Sequence, residues 1–82
     1  MSPGIATDRT ADAWVVRVDV PNRELTVVAD GQLLAFDVPP GCVVIINGQP
    51  VRLRLLQTED RVRVRYEAGP TRGVAVLIEV NP

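Results

Sequence analysis

Three arginines at alternate positions, Arg61, Arg63 and Arg65, are the residues of this chain best spaced to do chemistry. Val62, Val64 and Tyr66 take the other parity, so a β-strand here would put the guanidiniums on one face about 7 Å apart. That interval suits a row of phosphates, and Arg52 and Arg54 stand just upstream. The same alternation also arises when arginines pair with acidic neighbours across strands and keep a sheet face in water, and that reading carries more weight. Nucleic-acid binding by Arg52, Arg54, Arg61, Arg63 and Arg65 is therefore kept as the alternative. Bases would need stacking platforms, but Trp14, Phe36 and Tyr66 all fall on the apolar side of their alternations and are expected in the core. Trp14 is expected to cap one end of the fold.

Other chemistry is thinly represented. The chain has no His. All its cations are arginine and its one serine, Ser2, lies in an irregular N-terminal stretch, so the usual general bases and activated nucleophiles are missing. The chain is not expected to be an enzyme. Asp19, Asp30, Asp37, Glu59, Asp60, Glu67 and Glu79 sit at turns or outward positions and form no calcium-loop pattern, so no metal site is expected. Cys42 is the one cysteine, which excludes an internal disulfide and a zinc cluster, and it reads as a small buried hydrophobe. No cofactor is expected. Nine cations against ten carboxylates leave a net charge of −1, which gives the chain as a whole no pull on nucleic acid or an anionic membrane. Neither a membrane-spanning apolar run nor a signal-peptide layout is present, so a soluble chain is expected, its compartment open.

The elements that would position these residues are strands. With 82 residues, one domain is expected, and 46% hydrophobic but only 4% aromatic residues call for a core of Val, Leu and Ile. Residues 1–12 mix Ser, Pro, Gly, Thr and Asp without periodicity and read as a flexible lead, with a barrel domain over 13–82. Trp14, Val16, Val18 and Val20 alternate toward the core until Pro21 and Asn22 stop the strand. Leu25 to Ala29 is a second strand, and Asp30-Gly31 is a type I′ hairpin pair because both of its positions need positive φ. Gln32 to Val38 is a third, ended by two prolines. Cys42 to Ile46 is a fourth, closed by the second primed-turn pair, Asn47-Gly48. Leu53, Leu55 and Leu56 suit a bend or helical turn near 53–57 tucked under the sheet. The acidic corner Thr58, Glu59, Asp60 leads into the arginine strand, and Val74 to Val80 is the last. Open sheet edges invite aggregation, so these six strands predict an all-β fold, a small five- or six-stranded antiparallel barrel of OB-like or SH3-like type.

The order of these pieces resembles a family of small bacterial β-barrel domains of unknown function: VRVD at 16–19, LTV at 25–27, NG at 47–48, LRLLQTEDRVRV at 53–64 and AVLIEV at 75–80. The resemblance implies a barrel and assigns no catalytic residue. Its members often have Gly before the Asp of the central corner, where this sequence has Glu59 before Asp60.

A count of faces predicts how such a barrel behaves. If Cys42, Val44 and Ile46 point inward, Val43 and Ile45 point out. Likewise Val74, Val76, Ile78 and Val80 would leave Ala75 and Leu77 outside, and Trp14 and Val16 would leave Val15. An apolar surface of Val15, Val43, Ile45, Ala75 and Leu77 on so small a protein predicts a non-catalytic structural or protein-interaction module, as a homo-oligomer or bound to a partner protein.

Overall fold

The computed structural model describes residues 9–82, in which seven strands and one short 3₁₀ turn form an all-β barrel. The strands are β1 (Arg9–Asp19), β2 (Glu24–Ala29), β3 (Gln32–Asp37), β4 (Val43–Ile46), β5 (Gln49–Val51), β6 (Arg61–Glu67) and β7 (Gly73–Val80). The 3₁₀ turn is Leu53–Leu55. Of the proposed flexible lead, residues 1–8 lie outside the described residues, while Arg9 to Asp12 already pair with β6, so the strand starts ahead of the expected position at Ala13.

Hydrogen-bonded neighbours run in the order β3-β2-β1-β6-β7-β4-β5, and β3 also pairs with β7. That extra pairing closes a five-stranded ring, β1-β2-β3-β7-β6, against which β4 and β5 form a flanking hairpin. Most pairings are antiparallel as expected, but β7 runs parallel to both β3 and β4. A meander of three strands, the third lying parallel to the last, is the OB-type arrangement. β7 divides its second edge, with Gly73 and Val74 on β3 and Leu77 to Val80 on β4.

The two primed turns form as their sequences dictate, with φ of 51° and 77° at Asp30 and Gly31, and 54° and 78° at Asn47 and Gly48. The second turn creates a strand the sequence reading did not contain, β5, which returns Val51 against Val44. Leu25, Val27, Val62, Val64, Ala75 and Ile78 are completely buried and form the centre of the core. Phe36 and the partly buried Tyr66 pack against one another in a tilted arrangement, ring centroids 4.8 Å apart and planes at 54°. Leu53 and Leu56 tuck beneath the sheet as expected, but Leu55 is half exposed.

Two strands depart from strict alternation. In β1 the pairing with β2 slips between Val15 and Arg17, leaving Val16 as a bulge. Ala13 and Val15 are buried, whereas Trp14 and Val16 face outward, the reverse of the expected parity. The bulge then restores Val18 to the core side. In β7 the slip lies opposite Arg65 and Tyr66 and leaves Val76 unpaired on β6, so Ala75 and Ile78 both face inward three residues apart. Val15 and Ala75, expected outside, are therefore core residues. Trp14, expected at the core, is 52% exposed. No helix among the described residues is long and apolar enough to cross a membrane.

Candidate functional site

The outer surface of the barrel is organised in rows that cross the strands. The middle row, Asp12–Arg63–Glu79–Ile45, runs from β1 through β6 and β7 to β4. Arg63 Nε donates to Asp12 Oδ1 at 2.8 Å, and Glu79 adds its charge from the other side. That hydrogen bond holds the Asp12 carboxyl below the usual carboxylate range. The centre of the arginine stripe is therefore neutralised by the strands on either side. One neighbouring row is Thr10–Arg65–Leu77–Val43.

The other neighbouring row is apolar. Trp14 pairs with Val28 on β2, and Val28 pairs with Leu33 on β3, so the three share the outer face. Leu33 is 68% exposed, and the bulged Val16 beside Trp14 is 44% exposed. Arg61, paired with Trp14 on the β6 side, places its guanidinium carbon 5.8 Å from the indole centroid. The acidic corner borders the same face, where Trp14, Val16, Val28 and Glu59 line a shallow hollow of about 590 Å³. The corner is fixed to β1 by two main-chain bonds, Glu59 N to Val15 O at 2.7 Å and Val15 N to Asp60 O at 2.8 Å. Glu59 has φ 73°, a left-handed conformation.

The arginines read from the sequence as one group occupy two regions. Arg61, Arg63 and Arg65 lie on β6, whereas Arg52 and Arg54, around the 3₁₀ turn, line a different pocket together with Arg23. Of the expected oligomer residues, Val43 is well exposed and Ile45 and Leu77 are half-buried. Glu79 and Arg63 lie between them and the Trp14 face. Val15 and Ala75 are buried in the core and present no apolar side chain for an interface. The contiguous apolar residues that the sequence reading missed are Trp14, Val16 and Leu33. The signal that could have found Trp14 is the uninterrupted apolar run Ala13 to Val16, which fits either parity equally well.

Cys42 is half-buried with a free thiol, and burial pushes its pKa up to about 11 against a smaller opposing pull from Arg23. Among the described residues no group of three or more His, Cys, Asp or Glu side chains is placed to hold a metal ion.

Solved structures of similar architecture include forms of CusF. Apo-CusF from Escherichia coli superposes with a TM-score of 0.78 at 16% identity, over 100% of this chain and 96% of that one. This chain has the fold of CusF. The Ag(I) form from Escherichia coli gives a TM-score of 0.77 at 14% identity, covering 96% of this chain and 98% of CusF. A tryptophan-to-alanine CusF variant with Cu(II), also from Escherichia coli, gives 0.76 at 14% over the full length of both. At such identities the likeness concerns fold alone. No family model matches the chain, and no curated protein matches it. The part of the sequence resemblance that stands is the small β-barrel itself.

Proposed function

We propose that this chain is a non-catalytic β-barrel module that self-associates through the outer face of β1, β2 and β3. The observation that carries the reading is the cluster of Trp14, Val16, Val28 and Leu33 on one face, with Trp14 and Leu33 more than half exposed. Trp is the side chain most enriched at the centres of protein interfaces, and each buried Val or Leu contributes about 1.5–3 kcal/mol. A second copy suits this face because its rim is self-complementary. Arg61 and Glu59 flank Trp14 with opposite charges, so a two-fold pairing can set each arginine against the other copy's glutamate. Val43 and Leu77, cross-strand neighbours on another part of the barrel, are the reserve interface.

The Ag(I) and Cu(II) forms of CusF raise the question of whether this chain takes such ions. Ag(I) is a soft ion that takes thiolate, thioether and imidazole donors. This chain has no His, its one Met is Met1, and its one thiol is held protonated by burial. The fold is shared, but this chain offers few of the donors such an ion takes. The nucleic-acid alternative retains one exposed stacking residue, Trp14 beside Arg61, but Glu24 and Asp37 set carboxylates on the outer face of β2 and β3, where OB barrels hold oligonucleotides, and this weighs against it.

Light scattering across a concentration series tests the reading. The expected result is a mass that rises with concentration, and that falls to one chain in Trp14→Arg and Leu33→Arg but not in Val43→Arg. A mass of 8.9 kDa, that of one chain, at every concentration would refute self-association. An oligomer broken by Val43→Arg alone would move the interface to β4 and β7.

A further inference from the structure

The flanking hairpin and the turn between β1 and β2 enclose a pocket of about 390 Å³ at one end of the barrel. Its cationic lining is Arg23, Arg52 and Arg54, and none of the described residues that line it is acidic. On a chain with net charge −1, three of nine cations gathered without a carboxylate is an unbalanced arrangement. The remaining lining is mostly apolar and includes the buried Val44 and Leu53 and the half-buried Cys42.

Arg23 is the fixed member. It occupies the left-handed region at φ 53°, and the main chain locks it there, its amide donating to Val20 O at 3.2 Å and its carbonyl accepting from Val38 N at 2.9 Å. Its Nε donates to Val38 O at 2.7 Å and its Nη2 to Pro39 O at 3.4 Å. Both acceptors are neutral carbonyls, so the charge is held in place without being cancelled, and a guanidinium's further N–H donors remain. Arg52 and Arg54 make no ion pair among the described residues, in contrast to Arg63, which is held by Asp12, and Arg72, which is held by Glu24 and Asp37. A pocket of this size can hold a small molecule.

We infer that this pocket binds a small organic anion, a phosphate monoester or carboxylate carrying a short hydrocarbon group. The three guanidiniums would take the anionic end by charge-assisted hydrogen bonds, which are the strong and directional ones. Val44, Leu53 and the neutral Cys42 side chain would cover the hydrocarbon end. The site is separate from the Trp14 face, with which it shares no lining residue.

The test is a two-dimensional ¹⁵N NMR titration of the full chain with butyl phosphate, alongside inorganic phosphate and butanol. Butyl phosphate should produce saturable shifts of the Arg23, Cys42 and Leu53 amides, while butanol produces none. Inorganic phosphate should bind the same residues at least about tenfold more weakly, since it leaves the apolar wall uncovered. The double variant Arg52→Gln/Arg54→Gln, both positions exposed, should keep the parent's spectrum and melting curve and lose at least about tenfold in affinity for butyl phosphate. Arg9→Gln, exposed and outside both the pocket and the Trp14 face, should leave that affinity unchanged. Absence of saturable shifts would overturn the site, as would equal affinities of the parent and the double variant. Equal affinity for inorganic and butyl phosphate would overturn the assignment of an organic ligand.

Discussion

Arg61 and Trp14 are cross-strand partners in which the guanidinium sits over the indole, 5.8 Å from its centroid, on the outside of the barrel. A cation over an aromatic face is attracted by the ring's quadrupole, and with this contact made Trp14 remains 52% exposed. Trp14 is the one tryptophan of the chain, so its fluorescence reports on this face alone. In dilute solution the emission should lie close to that of the unfolded chain and be quenched by acrylamide. Concentrating the protein should shift it to shorter wavelength as a second copy covers the ring. Short-wavelength, unquenched emission at all concentrations would return Trp14 to the core.

Gly73 is a position where a methyl group does not fit. A Cβ there would lie 2.9 Å from ring carbons of both Phe36 and Tyr66, the two aromatics whose tilted rings pack together. Gly73→Ala should therefore destabilise by about 1–3 kcal/mol through overpacking. Gly41, with open space around it, is the control, and Gly41→Ala should be close to neutral. Urea denaturation of both variants checks this; equal midpoints would mean that the aromatic pair yields freely.

The alternation in β6 separates a core position from a surface position one residue away. Val64 is fully buried, and Val64→Asp would place an unpaired carboxylate among apolar side chains, a loss of several kcal/mol. Arg63→Gln gives up an exposed ion pair with Asp12 and should leave the melting temperature almost unchanged. Thermal melts of the two variants that coincide would contradict the strand's register.

Glu59 holds a left-handed backbone conformation that glycine adopts without a steric penalty. It is also the corner position at which the family resembled in sequence often carries Gly. Glu59→Gly should stabilise the fold by about 0.5–1 kcal/mol, since the relief of Cβ strain outweighs the greater entropy of an unfolded glycine. A lower midpoint in chemical denaturation would show that the glutamate side chain itself holds the corner.

Acid and alkali should weaken the fold through different groups. Asp12, hydrogen-bonded by Arg63, and Asp19, hydrogen-bonded by the Asn22 side chain and amide, have carboxyl pKa values below the ordinary 3.8. A depressed folded-state pKa contributes stability that is present above the unfolded value and lost as pH falls through the folded one. Stability should thus decline below pH 3.8, and Arg63→Gln should flatten that decline. Cys42 has the opposite relation, its folded pKa of about 11 lying above the ordinary 9.0. The folded chain keeps its thiol proton longer, so stability should fall between pH 9.0 and about 11. Denaturation midpoints across pH measure both slopes, with Cys42→Ala removing the alkaline one.

The parts of the fold legible in the sequence are those where local chemistry permits one answer. Arg61 to Tyr66 alternates charged and apolar residues with no bulge, and its register follows directly. Asp30-Gly31 and Asn47-Gly48 form their turns because few other dipeptides accept two consecutive positive φ values. β1 and β7 were not legible, since Ala13 to Val16 and Val74 to Ile78 are continuously apolar and either parity satisfies them. Bulges at Val16 and Val76 then shift the parity midway, and their positions are set by the partners on β2 and β6. The Trp14 face was missed for that reason. The grouping of Arg23 with Arg52 and Arg54 joins residues about thirty positions apart, and it exists only once the barrel has closed.

The divided edge of β7 bears on how the barrel closes. β3, β4 and β6 all complete their pairing on this strand, so until Gly73–Val80 is in place none of these pairings is available. Contacts so distant in sequence form slowly, and until they form three strands expose unpaired edges. The barrel therefore closes in one step that waits for β7, and the interval before that step is when the chain is most open to capture by chaperones or proteases.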